Sequence, residues 1–181
     1  MMSDARLRPL VLSDVDHIMK WVNDDEVVKN FQNFDKTFTR EDEESFIKGR
    51  LWRTDVKLYA VEAQDTGQYL GNAEINNIHA KNEVGDLSLI LGVKEAWGQG
   101  YGKSALRALL TIAFNECGLY KVRLQAFADN PKTCHIYTSL GFMQEGIRKE
   151  EYKDKEGHRH DMVLFRMFKR EYDSLSKGGN L

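Results

Sequence analysis

The sequence of 181 residues has few cysteines and no long apolar run, and each shortage excludes a class of protein. Its two cysteines are too few for a disulfide framework or a four-cysteine zinc site. The longest apolar runs, such as Leu87–Val93, fall well short of the roughly 20 residues that a membrane-spanning helix needs. The first ten residues contain three charged side chains and no apolar stretch typical of a secretory signal. We therefore expect a cytoplasmic protein with no membrane partner.

Charge of neither sign dominates the composition. Lys and Arg number 26 and Asp and Glu number 28, which gives a formal net charge of −2. Such a chain has no overall positive field to recruit nucleic acid, so we expect no nucleic-acid partner. Apolar residues make up 41% of the sequence, enough to build a core, which excludes a wholly disordered chain.

Alternating and helical periodicities divide the chain into the elements of an α/β (α+β) domain. Strands are predicted at Leu7–Leu10, Lys57–Ala63, Tyr69–Ile78, Val84–Val93, Val122–Ala128, Phe142–Lys153 and Arg159–Lys169. Helices are predicted after Ser13, after Thr39, from the glycines near residue 100 to Gly118, and from Asn130 to Gly141. The order β-α-α-β-β-β-α-β-α-β-β predicts one domain over residues 1–173. The Ser- and Gly-rich segment 174–181 is expected to be a flexible tail.

The segment from Leu89 to Ser104 is the most informative part of the chain. A buried strand leads into a loop with glycines at 98, 100 and 102, which leads directly into an amphipathic helix. Glycines let the backbone approach a ligand closely, and the free N–H groups of a helix start bind anions such as a pyrophosphate. Taken alone the loop could equally be a structural turn. Its spacing fits neither a Walker A loop nor the dinucleotide-binding fingerprint, which argues against a nicotinamide-dependent oxidoreductase.

A second block follows about forty residues later. The stretch from Asn130 to Phe142 reads NPKTCHIYTSLGF and resembles the pattern N-x-x-[AS]-x-x-x-Y-x-x-x-G-F of the GNAT acetyltransferase superfamily. The loop from Trp97 to Ser104 is similar to that family's pyrophosphate motif Q/R-x-x-G-x-G/A, with Trp97 in place of the Gln or Arg. Within the superfamily, the string AEINNIH at 73–79 is similar to the branch of ribosomal-protein N-terminal and spermidine N-acetyltransferases.

The resemblance implies a GNAT fold with a central, mixed but mostly antiparallel sheet flanked by helices, whose fourth and fifth strands splay apart. Acetyl-CoA would be the co-substrate, and its pantetheine arm would lie in the splay and pair with the amides of Leu91, Gly92 and Val93. One of these amides would face the thioester oxygen and stabilise developing negative charge, commonly worth about 3–4 kcal/mol. The remaining expected cofactor contacts are Trp97, Gly98, Gln99, Gly100, Tyr101, Gly102, Lys103, Ser104, Asn130, Thr133 and Tyr137.

The same resemblance assigns Tyr137 as the general acid that protonates the departing CoA thiolate. Taken alone, this tyrosine is more simply explained as a packed core residue, and Asn130 could serve only as a helix cap. An amine arrives protonated and must lose a proton before it attacks, so a carboxylate base is needed. Glu83 and Glu74 are the candidates, with a role as solvated surface carboxylates as the alternative for both.

We therefore expect an N-acetyltransferase that works by direct attack in a ternary complex. A covalent route through Cys134 is rejected because no adjacent base and orienting group are apparent. No metal site is expected from the histidines. The rival hypothesis is a non-catalytic CoA-binding sensor on the same fold, and we also expect that the chain could form a homodimer.

The acceptor should be a small-molecule or peptide amine, held by the segment Asn23–Arg53 and the hairpin around Asp154–Gly157. The first of these, called here the acidic segment, contains eight acids: Asp24, Asp25, Glu26, Asp35, Glu41, Asp42, Glu43 and Glu44. Their charge favours a cationic acceptor, such as a polyamine or a peptide N-terminus, over an amino-sugar. The alternative is that these acids only complement the dipole of a helix.

Overall fold

The computed structural model describes residues 4–34 and 36–179 and shows one seven-stranded sheet with helices on both faces. The strands are β1 (Ala5–Pro9), β2 (Lys57–Ala63), β3 (Tyr69–His79), β4 (Val84–Leu91), β5 (Lys121–Phe127), β6 (Met143–Lys153) and β7 (Arg159–Phe168). The helices are α1 (Val15–Ile18), α2 (Asp25–Val28), α3 (Arg40–Leu51), α4 (Tyr101–Thr111), α5 (Pro131–Ser139) and α6 (Lys169–Lys177). The strand order is β1-β2-β3-β4-β5-β7-β6, and β4–β5 is the parallel pair. The predicted mixed, mostly antiparallel sheet is therefore confirmed.

Each face of the sheet covers its own apolar core. The main core packs α4, α5 and α6 on one face and includes Leu87, Leu109, Phe114 and Phe165. The second core packs α1–α3 on the other face and includes Ile18, Trp21, Ile47 and Tyr69. Because side chains alternate along a strand, β3 contributes Ala73 and Ile75 to the main core and directs Asn72 and Glu74 towards the second.

Two helical predictions need correction. The helix expected after Ser13 is instead a 3-10 turn, Leu12–Asp14, followed by the single turn α1, although Val15, Ile18 and Val22 are buried as their spacing predicts. The expected tail begins inside α6, because residues 174–177 are helical. Tyr172 packs against Phe114, and Leu175 packs against the main core beside Gly141. These two contacts fix α6 against the main core.

Residues 180 and 181, the end of the expected flexible tail, lie outside the described residues. In the described part of the chain, no helix is both long and apolar enough to cross a membrane.

Candidate active site

The candidate site lies where β4 and β5, the parallel pair at the centre of the sheet, separate. β4 and β5 pair at Val84–Lys121, Gly85–Val122 and Asp86–Arg123, and beyond those residues the pairing stops. From Leu87 to Leu91, β4 pairs with β3 alone. The predicted splay between the fourth and fifth strands is therefore confirmed. It leaves an unpaired strand edge inside the sheet, which can hydrogen-bond an extended ligand that carries amide groups.

The backbone of β4 directs its amides to alternate sides, and this corrects part of the sequence prediction. The N–H groups of Gly92 and Val93 both donate to the carbonyl oxygen of Leu70, at 2.9 and 3.1 Å. These two amides therefore face β3 and do not open into the splay. By strand alternation the N–H of Leu91 points to the opposite edge, as does that of Leu89, which the sequence analysis missed.

Trp97 braces the glycine loop against the end of β4. Its indole Nε1 donates to the carbonyl oxygen of Leu91 at 2.9 Å, and its ring packs against the second core. Trp97, at the first position of the loop motif, therefore has a structural role: it fixes the loop to the end of β4. Its indole N–H is used within the fold.

The glycine loop presents the start of α4 without a cap. Gly98 and Gly100 have φ angles of 75° and 99°, in the region that favours glycine, and Gly100 is the N-cap residue of α4. No side chain caps this helix. Helix geometry leaves the first N–H groups, those of Tyr101, Gly102 and Lys103, without acceptors inside the helix. Such a cluster of N–H groups at the positive end of the helix dipole is a binding site for an anion.

The other loop residues have different roles. Ser104 donates its N–H to the carbonyl of Gly100, and its hydroxyl oxygen accepts the N–H of Ala5, each at 3.0 Å. The hydroxyl proton makes no hydrogen bond among the described residues, so the expected ligand contact of Ser104 stays a prediction. The side chain of Gln99 hydrogen-bonds the carbonyl of Glu95. A Cβ on Gly102 would lie 3.5 Å from Leu91, so this glycine brings α4 close to the end of β4.

Helix α5 begins as its sequence predicts. Asn130 is the N-cap residue, Pro131 follows as the first helical residue, and the Oδ1 atom of Asn130 accepts the N–H of Thr133 at 3.2 Å. This confirms the capping role of Asn130. Its Nδ2 group makes no hydrogen bond among the described residues and is available for a ligand.

Tyr137 lies on α5, half-buried against the main core. Its ring packs edge-on against Phe165, with centroids 5.5 Å apart, and lies 6.0 Å from Phe142. Within residues 4–34 and 36–179 its hydroxyl has no hydrogen-bond partner. Burial raises the pKa of Tyr137, so the phenol keeps its proton at neutral pH and can donate it.

Only one of the two predicted bases lies on the second-core face of the sheet. Glu83 lies before β4, at the end of the parallel pair opposite the splay, and its carbonyl accepts the N–H groups of Tyr120 and Lys121. Glu74 faces the second core and is held at 2.7 Å from Arg50 and 2.5 Å from Asn76. Glu83 therefore lies away from the splay, and Glu74 lies on the face of the sheet opposite Tyr137, where its role as a base stays a prediction.

Cys134 offers no covalent route in this geometry. Its Sγ lies 3.9 Å from the carbonyl oxygen of Phe127, and burial raises the pKa of its thiol. The neighbouring His135 is exposed and makes no contact with that sulfur in the described structure. A thiol that keeps its proton is a poor nucleophile.

The acidic segment and the β6–β7 hairpin meet on the second-core face of the sheet, and their role as walls of an amine site stays a prediction. Lys155 at the hairpin tip pairs with Asp25 at 2.6 Å, and Gln125 of β5 donates to Gln32 at 2.9 Å. A cavity of about 320 Å³ opens between them. Its lining residues are Val22, Asn23, Asp25, Val28, Phe34, Lys36, Thr37 and Lys155.

Most acids of the acidic segment are already paired within the chain. Asp24 and Glu26 contact Lys94, and Glu44 contacts Arg40 and Lys48. Asp42 contacts Lys36 and also completes the capping box of α3 with Thr39. The capping contact of Asp42 supports the alternative in which acids of this segment complement the dipole of a helix, here α3. Asp35 lies outside the described residues.

His160 connects the hairpin tip with the start of α5. Its Nδ1 lies 2.9 Å from an oxygen of Asp129, and its Nε2 lies 2.9 Å from an oxygen of Asp154. Asp154, followed by Asp129, raises the pKa of His160, and the contact with His160 helps lower the pKa of Asp154 to about 2. The contact with Asp129 was not apparent from the sequence, because the two residues lie 31 positions apart. The hairpin also brings Asp154, Glu156 and His158 together, but this group is mostly exposed.

We expect His160→Gln to lower the melting temperature more near about pH 6 than near about pH 9. A raised folded-state pKa contributes stability that is fully present below the ordinary value of 6.5 and is lost as the pH rises through the folded value. Thermal unfolding of both proteins at the two pH values measures the difference. An equal loss at both would contradict an ionic role for His160.

Comparisons with known proteins agree with this geometry. A family model described as an acetyltransferase (GNAT) domain matches residues 5–143. The uncharacterized N-acetyltransferase p20 of Bacillus licheniformis is 24% identical over 168 residues, which are 92% of this chain and 93% of that protein. The spermidine N(1)-acetyltransferase of Vibrio cholerae is 33% identical over 79 residues, 44% of this chain and 43% of that one.

Solved structures show the same fold. The crystal structure of spermidine N-acetyltransferase from Vibrio cholerae in complex with CoA and spermine has a TM-score of 0.85 at 20% identity. The match covers 93% of this chain and 98% of that one. The family match over most of the chain, together with the splayed strands and the uncapped glycine loop, shows that this chain belongs to the GNAT family of acetyl-CoA-dependent N-acetyltransferases.

Proposed function

We propose that this chain transfers the acetyl group of acetyl-CoA to a primary amine by direct attack in a ternary complex, with a positively charged acceptor. The observation that carries the proposal is the unpaired edge of β4, Leu87–Leu91, which leads into the uncapped start of α4. This edge and this helix start fit the two hydrogen-bonding parts of CoA. The amide-bearing pantetheine arm fits the edge, and the pyrophosphate fits the N–H groups.

Each proposed chemical role falls to a group in the splay or beside it. The N–H of Leu91 would stabilise charge on the thioester oxygen, and Tyr137 would protonate the sulfur leaving group. Tyr137 lies with the main core, whereas the amine would enter from the second-core face, so the acid and the nucleophile would approach the thioester from different sides of the sheet. The acceptor ammonium would lose a proton to water or to Glu74, and the free amine would add to the thioester carbon. The tetrahedral intermediate would then expel the CoA sulfur, which takes the proton of Tyr137, while the nitrogen releases its second proton to solvent.

The acceptor class is supported by relatives of this chain. Relatives named as spermidine acetyltransferases match this chain, and the related crystal structure holds spermine with CoA. The cavity on the second-core face lies between the acidic segment and the hairpin tip. The charged residues that line it are Asp25, Lys36 and Lys155, so the preference for a polyamine or a peptide N-terminus over a neutral amino-sugar rests on the relatives and on the acidic segment as a whole.

Release of CoA thiol tests this proposal. Purified protein is incubated with acetyl-CoA and spermidine, a peptide with a free N-terminus, or an aminosugar nucleotide, each at low and high salt. We expect faster release with the cationic acceptors and a kcat/KM that falls as salt rises. Preference for the aminosugar, with no effect of salt, would contradict the acceptor class. Binding of acetyl-CoA without release for any amine would favour the sensor.

A further inference from the structure

Arg107 is a cation without a partner in a chain that pairs its other arginines. The sequence contains eleven arginines, and the ten outside α4 each donate a side-chain hydrogen bond to a carboxylate, a carbonyl or a hydroxyl group. The guanidinium of Arg107 makes no ion pair or hydrogen bond among the described residues, and its Nε atom is buried. A buried N–H of a charged group is costly without an acceptor. Arg107 therefore points to an acceptor that this chain does not itself supply.

Arg107 lines a cavity of about 310 Å³ between the start of β1, α4 and α6. Ser104 and Thr111 contribute to its wall from α4, and Tyr172 and Ser176 contribute from α6. This volume falls at the lower end of the range for small-molecule sites. The cavity therefore has room for a small ligand beside the guanidinium.

Several hydrogen-bond donors of this wall are left free by the fold. The hydroxyl oxygen of Ser104 accepts the N–H of Ala5 at 3.0 Å, but its proton has no acceptor among the described residues. The side chains of Gln64 and Ser176, at the exposed rim, make no hydrogen bond within residues 4–34 and 36–179. One cation and several neutral donors around one space suit an oxyanion, which offers acceptor lone pairs in several directions.

The single acid of the cavity wall does not neutralise Arg107. Asp4 is the only acid among the lining residues that the structure describes, and it is exposed and makes no ion pair with Arg107. On the inner wall, the hydroxyls of Thr111 and Tyr172 lie 3.1 Å apart and hydrogen-bond each other. The positive charge of Arg107 is therefore left for a ligand.

This cavity lies on the flank of α4 that faces away from the splay. Gly102 faces β4, because a Cβ there would lie 3.5 Å from Leu91. At about 100° per residue, Ser104 and Arg107 lie about 200° and about 140° around the helix from Gly102. Ser104 accordingly contacts Ala5 of β1, which lies three strands away from β4 in the sheet. The cavity is thus separate from the uncapped helix start and from the strand edge that fit CoA.

We propose that Arg107 and the hydroxyl of Ser104 bind a phosphate group in this cavity, as a second anion site on α4. The planar guanidinium forms paired hydrogen bonds with two oxygens of an anion. A carboxylate would have no oxygen left after that pairing, whereas a phosphate group keeps others that can accept from the Ser104 hydroxyl. The ligand would contact β1, α4 and α6 together, and its binding does not depend on the acetyl transfer proposed above.

Thermal unfolding and calorimetry with inorganic phosphate test this site, with sodium chloride at the same ionic strength as the reference. We expect phosphate to raise the melting temperature of the wild-type protein, because a ligand that binds the folded state stabilises it by mass action. Arg107→Gln should raise the Kd for phosphate about tenfold to a hundredfold, the range for losing a hydrogen bond to a charged group. Without phosphate, its melting temperature should equal or exceed that of the wild type, because an unpaired buried charge is removed.

Arg107→Lys and Arg148→Gln are the controls. The lysine keeps the charge and loses the planar pair of donors, so it should retain part of the phosphate effect. Arg148 is an exposed residue of β6 that pairs with Glu151, and its replacement should leave the phosphate effect unchanged. An equal effect of phosphate on the wild type and on Arg107→Gln would overturn the proposal. A wild-type protein that responds to phosphate no more than to sodium chloride would overturn it as well.

Saturating acetyl-CoA separates this site from the cofactor site. The effect of phosphate should persist in protein that is saturated with acetyl-CoA, because the two sites lie on different flanks of α4. Loss of the effect there would place the phosphate in the cofactor site and overturn a second site. Glycerol 3-phosphate then identifies the source of the phosphate group. A larger shift than with inorganic phosphate indicates a phosphate monoester, an equal shift indicates the free anion, and either result supports the site.

Discussion

Replacing Tyr137 by phenylalanine is expected to lower kcat by about 10²–10⁴-fold, the range for loss of a general acid. The substitution removes one hydroxyl and keeps the ring that packs against Phe165 and Phe142. Affinity for acetyl-CoA should therefore change little. Burial raises the pKa of Tyr137, so the proton is present throughout the neutral range, and the loss should be similar at every pH between about 6 and 9.

Steady-state kinetics and acetyl-CoA titration of the same preparations measure both effects. Tyr120→Phe is the control, since Tyr120 is an exposed tyrosine whose hydroxyl contacts Arg170. It should keep the wild-type kcat. If Tyr137→Phe turns over at nearly the wild-type rate, water or another residue protonates the leaving group.

The second large effect is expected at Gly100. Acetyl-CoA should raise the melting temperature, because a ligand at a hundred times its Kd stabilises the folded state by about 2.7 kcal/mol. Gly100→Glu should abolish that rise by placing a negative charge against the pyrophosphate at the start of α4. Differential scanning fluorimetry with and without acetyl-CoA measures it.

Gly100→Gln separates charge from backbone strain. Both variants place a side chain at a residue with φ near 99°, so both should lower the melting temperature of the free protein by a similar amount. The Gln variant should retain part of the acetyl-CoA shift and the Glu variant none. A full shift in a folded Gly100→Glu protein would remove this loop from the cofactor site.

Features encoded by short stretches of sequence were predictable. Asn130 and Pro131 specify the start of α5 because a cap and a fixed φ act within a few residues. The glycine loop and the apolar strand before it likewise predict the uncapped helix start. The pairing of β6 with β7 follows from the turn at 154–157 between them, and the resemblance to the family supplied the splay.

Features that depend on distant partners were not predictable. The sequence could not show that Gly92 and Val93 donate to Leu70, because strand alternation is counted from a register that only the fold sets. The ion pair between Glu74 and Arg50 could not be predicted either, because the two residues lie on different elements, β3 and α3. The burial of Glu43 was likewise not predictable, because several acids at the start of α3 have the same local sequence context.

The reaction product tests the central claim most directly. Wild-type protein is incubated with acetyl-CoA and spermidine, and the polyamine is analysed by mass spectrometry alongside thiol release. We predict a spermidine that is heavier by one acetyl group, formed in equal amount to free CoA and absent when Tyr137→Phe replaces the wild type at the same short reaction time. Release of CoA without acetylated polyamine, or no release from a protein that acetyl-CoA stabilises, would contradict the account.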